Sequence, residues 1–180
     1  YVGNIIIEGF TGSGSITVEG VNWYNYINGR IFVSGCTNSV YVNNFTVNLT
    51  EVTKDAVAIY KSTNVQFSKI WVYGQGANAG FFASEGSNVK LSECESYNTN
   101  FAIATNETST VYVDRCKGLG TTRGLVSQAG ASITVYSTYP GGGTSNTYND
   151  TGGTIALNGA IVNNGSSGSN PTPTQQFTKQ

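Results

Sequence analysis

The chain has 180 residues, a formal net charge of −1 and no histidine, and only 11% of its residues are charged. A near-neutral chain without a basic cluster is a poor partner for nucleic acid, and the missing histidine excludes His-based triads and histidine-containing zinc sites within these residues. No stretch reaches the length of a membrane-spanning helix, whereas 23 glycines and 12% aromatic residues suit short strands joined by tight corners.

The chain opens on an apolar stretch, Ile5 to Ile7, and then on Ser15-Ile16-Thr17-Val18, where apolar and polar residues alternate with period two as in a strand. The same pattern returns at Val40, Val65, Val89, Val111, Ile133 and Ile155, at successive spacings of 24, 25, 24, 22, 22 and 22. Two places after each anchor stands a second apolar residue: Val18, Val42, Phe67, Leu91, Val113, Val135 and Leu157. Repeats of this length mark a solenoid, in which no unit can bury its own apolar face and stacking supplies a continuous core.

Five residues past the anchors come Val21, Phe45, Ile70, Cys94, Cys116, Thr138 and Ala160, predicted to point inward and to open a second strand beyond a bend. Ahead of the anchors a third apolar stretch recurs at Ile31 to Val33, Ala56 to Ile59, Phe81 and Phe82, Phe101 to Ala104, and Leu125 and Val126. Its in/out parity is open. Three short strands per turn predict an all-β parallel β-helix of about seven to eight coils over residues 1–162, since no period contains a run rich in helix formers. Residues 163–180, rich in Asn, Gly, Ser, Thr and Pro, read as a linker or stalk. Because the chain opens at Tyr1 within a strand-like segment, it reads as a piece of a longer polypeptide.

Cys94 and Cys116 share a phase and are predicted to stack inward as small apolar residues, with Cβ atoms too far apart for a disulfide. Cys36 sits near a corner and is expected to have no phase partner.

Function is sought in outward columns. Eight residues past the anchors lie Tyr24, Asn48, Tyr73, Tyr97 and Leu119, and two residues earlier Asn22, Thr46, Trp71, Glu95, Lys117 and Tyr139. This places Tyr24, Trp71, Tyr73 and Tyr97 beside Asn22, Asn48 and Glu95, a set that suits carbohydrate: rings stack on sugar C–H faces while amides and carboxylates bind hydroxyls. A subunit interface is also rich in aromatic residues. Glu93 with Arg115, and Glu95 with Lys117, should face each other across neighbouring coils as exposed ion pairs. Glu85 and Glu107 share a corner phase with Lys61 nearby; carboxylates about 5 Å apart have the separation of a retaining glycosidase, and their repulsion would raise one pKa. No stacked Asp cluster points to a Ca²⁺ site, and no cofactor is predicted.

The three-strand coils, with cores such as Ser39 to Val47 (SVYVNNFTV) and Asn64 to Val72 (NVQFSKIWV), resemble the right-handed parallel β-helix of the pectate-lyase-like superfamily. Low charge and Asn/Thr/Gly-rich corners without capping helices make residues 4–162 resemble a bacteriophage tail spike or tail appendage protein in particular. The resemblance implies an extracellular, homotrimeric virion component that binds a host cell-surface polysaccharide during adsorption, trimeric display raising avidity for a repetitive glycan. It also implies two competitors: a polysaccharide depolymerase, either a glycoside hydrolase on paired carboxylates or a lyase on Asp clusters with Arg or Lys, and a non-enzymatic shaft or bacterial surface adhesin.

Overall fold

A computed structural model describes residues 1–22 and 24–162. The predicted linker at 163–180 lies outside the described residues. The chain forms β1 (Ile5–Glu8), β2 (Ser15–Glu19), β3 (Tyr26–Asn28), β4 (Ile31–Ser34), β5 (Ser39–Asn48), β6 (Val57–Tyr60), β7 (Val65–Ser84) and β8 (Asn88–Ser92). It continues with β9 (Glu95–Thr105), β10 (Thr110–Asp114), β11 (Lys117–Leu119), β12 (Arg123–Ser127), β13 (Ser132–Val135), β14 (Ser145–Asn149), β15 (Thr154–Leu157) and β16 (Ala160–Val162). Strands of successive coils pair in parallel, and the whole is a β-solenoid of about seven turns. Long strands such as β7 bend through corners and serve more than one stack.

The second stack of each coil carries the sequence period. Ile16, Val40, Val65, Val89, Val111, Ile133 and Ile155 are register partners in an unbroken series. From Val40 onward each is at most 1% exposed. Because parity is two, the residues between them, such as Tyr41, Gln66 and Lys90, face out. Fully burying a Phe67 or a Leu91 is worth about 1.5–3 kcal/mol, and every coil repeats the gain, which is how a chain of this composition holds together without disulfides; its three cysteines are free thiols.

The first stack, β1, β4, β6, the end of β7, the end of β9, β12 and β14, settles the open parity. Ile7, Val33, Ile59 and Ala83 enter the main core. After this stack each coil turns at a residue with positive φ, Gly9, Gly35, Lys61, Glu85, Glu107, Ala129 and Thr151, all between 47° and 66°, and after the last four of these the next residue, Gly86, Thr108, Gly130 or Gly152, has positive φ as well. Inside the corners, small side chains tie one coil to the next. The Ser62, Ser87 and Ser109 hydroxyls accept the N–H groups of Cys36, Ser62 and Ser87 respectively. Cys36 therefore does have phase partners, and they are serines. Its thiol, like those of Cys94 and Cys116, donates to the carbonyl two residues earlier, as the Ser62 hydroxyl does. Burial, then Cys94, pushes the Cys116 thiol well up, so it stays a protonated donor.

The third stack, β3, the end of β5, the middle of β7, the start of β9 and β11, departs from the expected phase at both ends. Val21, predicted inward, is 94% exposed. Ile27 pairs with Val47, so the first coil takes eleven residues from its anchor where the second takes seven. The extra residues form a turn in which Asn22 Oδ1 accepts the Tyr24 N–H at 3.0 Å and its carbonyl accepts the Asn25 N–H at 3.2 Å. Gly20 permits it, for a Cβ there would lie 2.1 Å from the Asn44 carbonyl oxygen. In the sixth coil the stack is replaced by a loop: Tyr139, predicted outward, is buried, and Thr138 is only half-buried. Gly142 of that loop presses back onto β12 of the same coil, with Gly124 N 2.5 Å from where a Cβ would be. At Ala160 the chain does not bend on into a further coil. It reverses through Asn158 and Gly159, both with positive φ, and β16 pairs antiparallel with β15.

Candidate functional site

The outer face of the third stack carries the predicted aromatic and polar columns. Thr46, Trp71, Glu95 and Lys117 are consecutive register partners, as are Asn48, Tyr73, Tyr97 and Leu119. Strand parity sends these residues outward, although Thr46 is itself buried in its column, while Val47, Val72 and Ser96 between them face the interior. The Tyr73 and Tyr97 rings stack with centroids 5.2 Å apart and planes 13° from parallel. The Tyr97 hydroxyl donates to Glu95 Oε2. Burial, then the bond and charge of Glu95, push the Tyr97 phenol above its ordinary range. Asn22 and Tyr24 do not join this face. The longer first corner carries them into the turn and puts Tyr26 and Asn28 in their columns, where Asn28 Oδ1 accepts from the Asn48 amide at 3.3 Å.

Beside the aromatic row lies a groove of about 420 Å³ lined by Trp71, Glu95 and Lys117 from the strand column and by Lys69, Glu93 and Arg115 from the preceding corner, with Thr138 at its end. Lys69, Glu93 and Arg115 each hold positive φ, from 51° to 54°, so one corner geometry repeated on three coils presents three long charged side chains in a line. The predicted Glu93–Arg115 pair forms at 3.1 Å, and Arg115 also holds Asp114 at 3.1 Å. Glu95 and Lys117 are register partners, yet the Glu95 carboxylate is engaged by Tyr97 rather than by the ammonium.

Glu85 and Glu107 do occupy equivalent corners on adjacent coils, two residues beyond the register partners Ala83 and Thr105. Each carboxylate has its own partner. Glu85 Oε2 is 3.0 Å from Lys61 Nζ, and Glu107 Oε2 accepts from the Ser84 hydroxyl at 2.8 Å. Among the described residues no cluster of Cys, Asp and Glu is placed to hold a metal ion.

A third face escaped the column reasoning. On the outside of the first stack Phe32, Tyr60 and Phe82 form a row with ring centroids 5.6 and 5.8 Å apart. Further along, Arg123 lies 3.7 Å over the Tyr148 ring and 5.9 Å from that of Phe101. Ala79, Ala104 and Val126 are buried beneath Phe82, Phe101 and Tyr148, apart from the main core. The signal was present: these stretches are continuous apolar runs rather than alternating ones, the pattern of strands covered on both faces.

Compared with protein-family models, with curated proteins and with solved structures, the chain matches none.

Proposed function

We propose that this β-solenoid is a glycan-binding module, of the kind that lets a phage tail spike or appendage hold a host cell-surface polysaccharide. The observation that carries the reading is the groove at Trp71, where an indole, two carboxylates and three cations converge beside the Tyr73–Tyr97 stack. Few places on so weakly charged a chain offer both a ring for a sugar face and a dense set of polar groups to orient it. Retention of bacterial wall and capsular polysaccharides by the purified chain, with glycan length followed in the same sizing experiment, tests it. Binding without shortening is expected, with Trp71→Ala and Tyr73→Ala each weakening it by roughly 1–3 kcal/mol, the range for losing one well-placed aromatic contact. Unchanged binding in both variants would remove this face from consideration. Shortened glycan would support the depolymerase alternative and send Glu85→Gln and Glu107→Gln to assay. Absence of binding would favour a structural shaft or surface adhesin.

A second reading concerns oligomerisation. The aromatic row on the outside of the first stack supports a face through which copies of the chain associate, which in an extracellular virion appendage would be a homotrimer. Sedimentation equilibrium of the wild type against Phe82→Ser separates the two states.

A further inference from the structure

The groove holds five charged side chains, and they are not equally engaged. Both carboxylates have partners within the protein: Glu93 has Arg115, and Glu95 has the Tyr97 hydroxyl. Asp114, next to the groove, is held by Arg115 and by the Ser137 hydroxyl at 2.9 Å. The ammonium groups of Lys69 and Lys117 make no hydrogen bond or ion pair among the described residues, and both side chains are exposed. The charged groups left without a partner are therefore both cations. Three of the chain's nine cations line this single groove, a concentration that solvation alone does not call for.

Placement gives the spare charges a direction. Lys69 stands at the corner two residues before Trp71 on the same strand, β7. Lys117 is in the column of Trp71, two register steps away through Glu95, or about 10 Å along the axis at the spacing of parallel strands. A polymer lying along the solenoid over Trp71 would pass one ammonium beside the indole and the other about two coils further on.

Resting on the glycan-binding reading of this groove, we infer that its ligand is an anionic polysaccharide, whose carboxylates or phosphodiesters meet Lys69 and Lys117 while a sugar face lies on Trp71. The Arg115 cation offsets Glu93, and the three cations lining the groove outnumber its two carboxylates. The carboxylates' remaining acceptor positions are left to sugar hydroxyls.

Affinity electrophoresis of the whole chain tests this, with hyaluronate, carboxyl-reduced hyaluronate, a ribitol-phosphate polymer and dextran cast separately into native gels. Retardation by at least one of the two anionic polymers and by neither neutral one is expected, falling with added salt. In Lys69→Gln/Lys117→Gln the dissociation constant should rise at least about tenfold, the loss of one charge-assisted contact. Both lysines are exposed, so thermal unfolding should be unchanged in that variant. Which anionic polymer retards the protein distinguishes carboxylate from phosphate. Equal retardation by the neutral polymers, insensitive to the lysine pair but lost in Trp71→Ala, would overturn the anionic inference and leave the glycan groove standing. Retardation unaffected by Trp71→Ala, or none by any polymer, would overturn the groove and the inference with it.

Discussion

At the residue scale the solenoid depends on small groups whose bonds cross from coil to coil. Ser87 is buried, donates to the Ser84 carbonyl at 2.6 Å and accepts the Ser62 N–H at 3.2 Å. Ser87→Ala leaves that N–H without a partner in a dry corner, and the expected loss is about 1–3 kcal/mol, read as a lower urea midpoint at unchanged slope. Asp55 is the opposite case, a buried acid that costs stability in its charged form. Its Oδ1 accepts from the Asn78 amide at 2.9 Å and the Ala79 N–H at 3.1 Å. Burial nonetheless raises its pKa, outweighing Asn78, the charge of Arg30 and Ala79. A carboxyl whose folded pKa lies above its unfolded value contributes stability that is present below the unfolded pKa, near 3.9, and lost as pH rises through the folded one. Asn keeps an oxygen in the place of Oδ1 and carries no charge. Asp55→Asn should thus be more stable than the wild type at pH 7, and the gap should narrow as pH falls through the carboxylate range. Urea unfolding at pH 7 and pH 4 reads both, and a gap that stays constant would mean that ionisation of Asp55 is not its cause.

At the scale of elements, the free edge of the last parallel strand is the exposed liability, because an unpaired strand edge is a template for another chain. β16 covers it by pairing Leu157 with Ala160 and Ile155 with Val162 across the Asn158-Gly159 turn. Both turn residues hold positive φ, 48° and 84°, and a β-branched residue at the second is strained there. Gly159→Val should release β16 and produce concentration-dependent self-association, visible by light scattering, with the strand signal of the remaining coils retained. The same turn shows where sequence reading succeeds and stops. The anchors from Ile16 to Ile155 were legible because one residue class at one phase is required by stacking in every coil, and the structure places all of them in register. The corner after Glu19 was not, since its extra residues preserve the overall spacing of 24 between Ile16 and Val40 and hide within it. That concealment misplaced Asn22 and Tyr24 in the candidate site, while Trp71, Tyr73, Tyr97, Asn48 and Glu95, in coils of regular phase, lie on one face as expected. Asn158-Gly159 was a readable hairpin signal that the repeat period overrode. Aromatic rows on the first stack were obscured for another reason: a continuous apolar run reports burial without saying which residues point in.

At the scale of the molecule, each coil pairs only with the one before and the one after it, so stability is a chain of neighbour interfaces rather than one shared core. Those interfaces are unequal. In the first coil Ile5, Ile16 and Val18 are only half-buried, whereas in the third and fourth coils Ile59, Phe67, Val89 and Leu91 are at most 1% exposed. Less apolar burial means a smaller free energy of local opening, so hydrogen exchange should be graded along the axis of this chain. Amides of β2 are expected to exchange at least about tenfold faster than those of β8, a difference of roughly 1.4 kcal/mol in opening. Leu91→Ala sharpens the test. The lost side chain should cost about 2–5 kcal/mol, and in a nearest-neighbour solenoid the cost falls on β8 and on its partners in β7 and β10, leaving β2 close to its wild-type rate. Mass spectrometry of exchanged peptides resolves these segments. A uniform rise in exchange from β2 to β15 would instead show that the chain opens all at once, and binding at the Trp71 groove would then protect the first coil as strongly as the coils that form it.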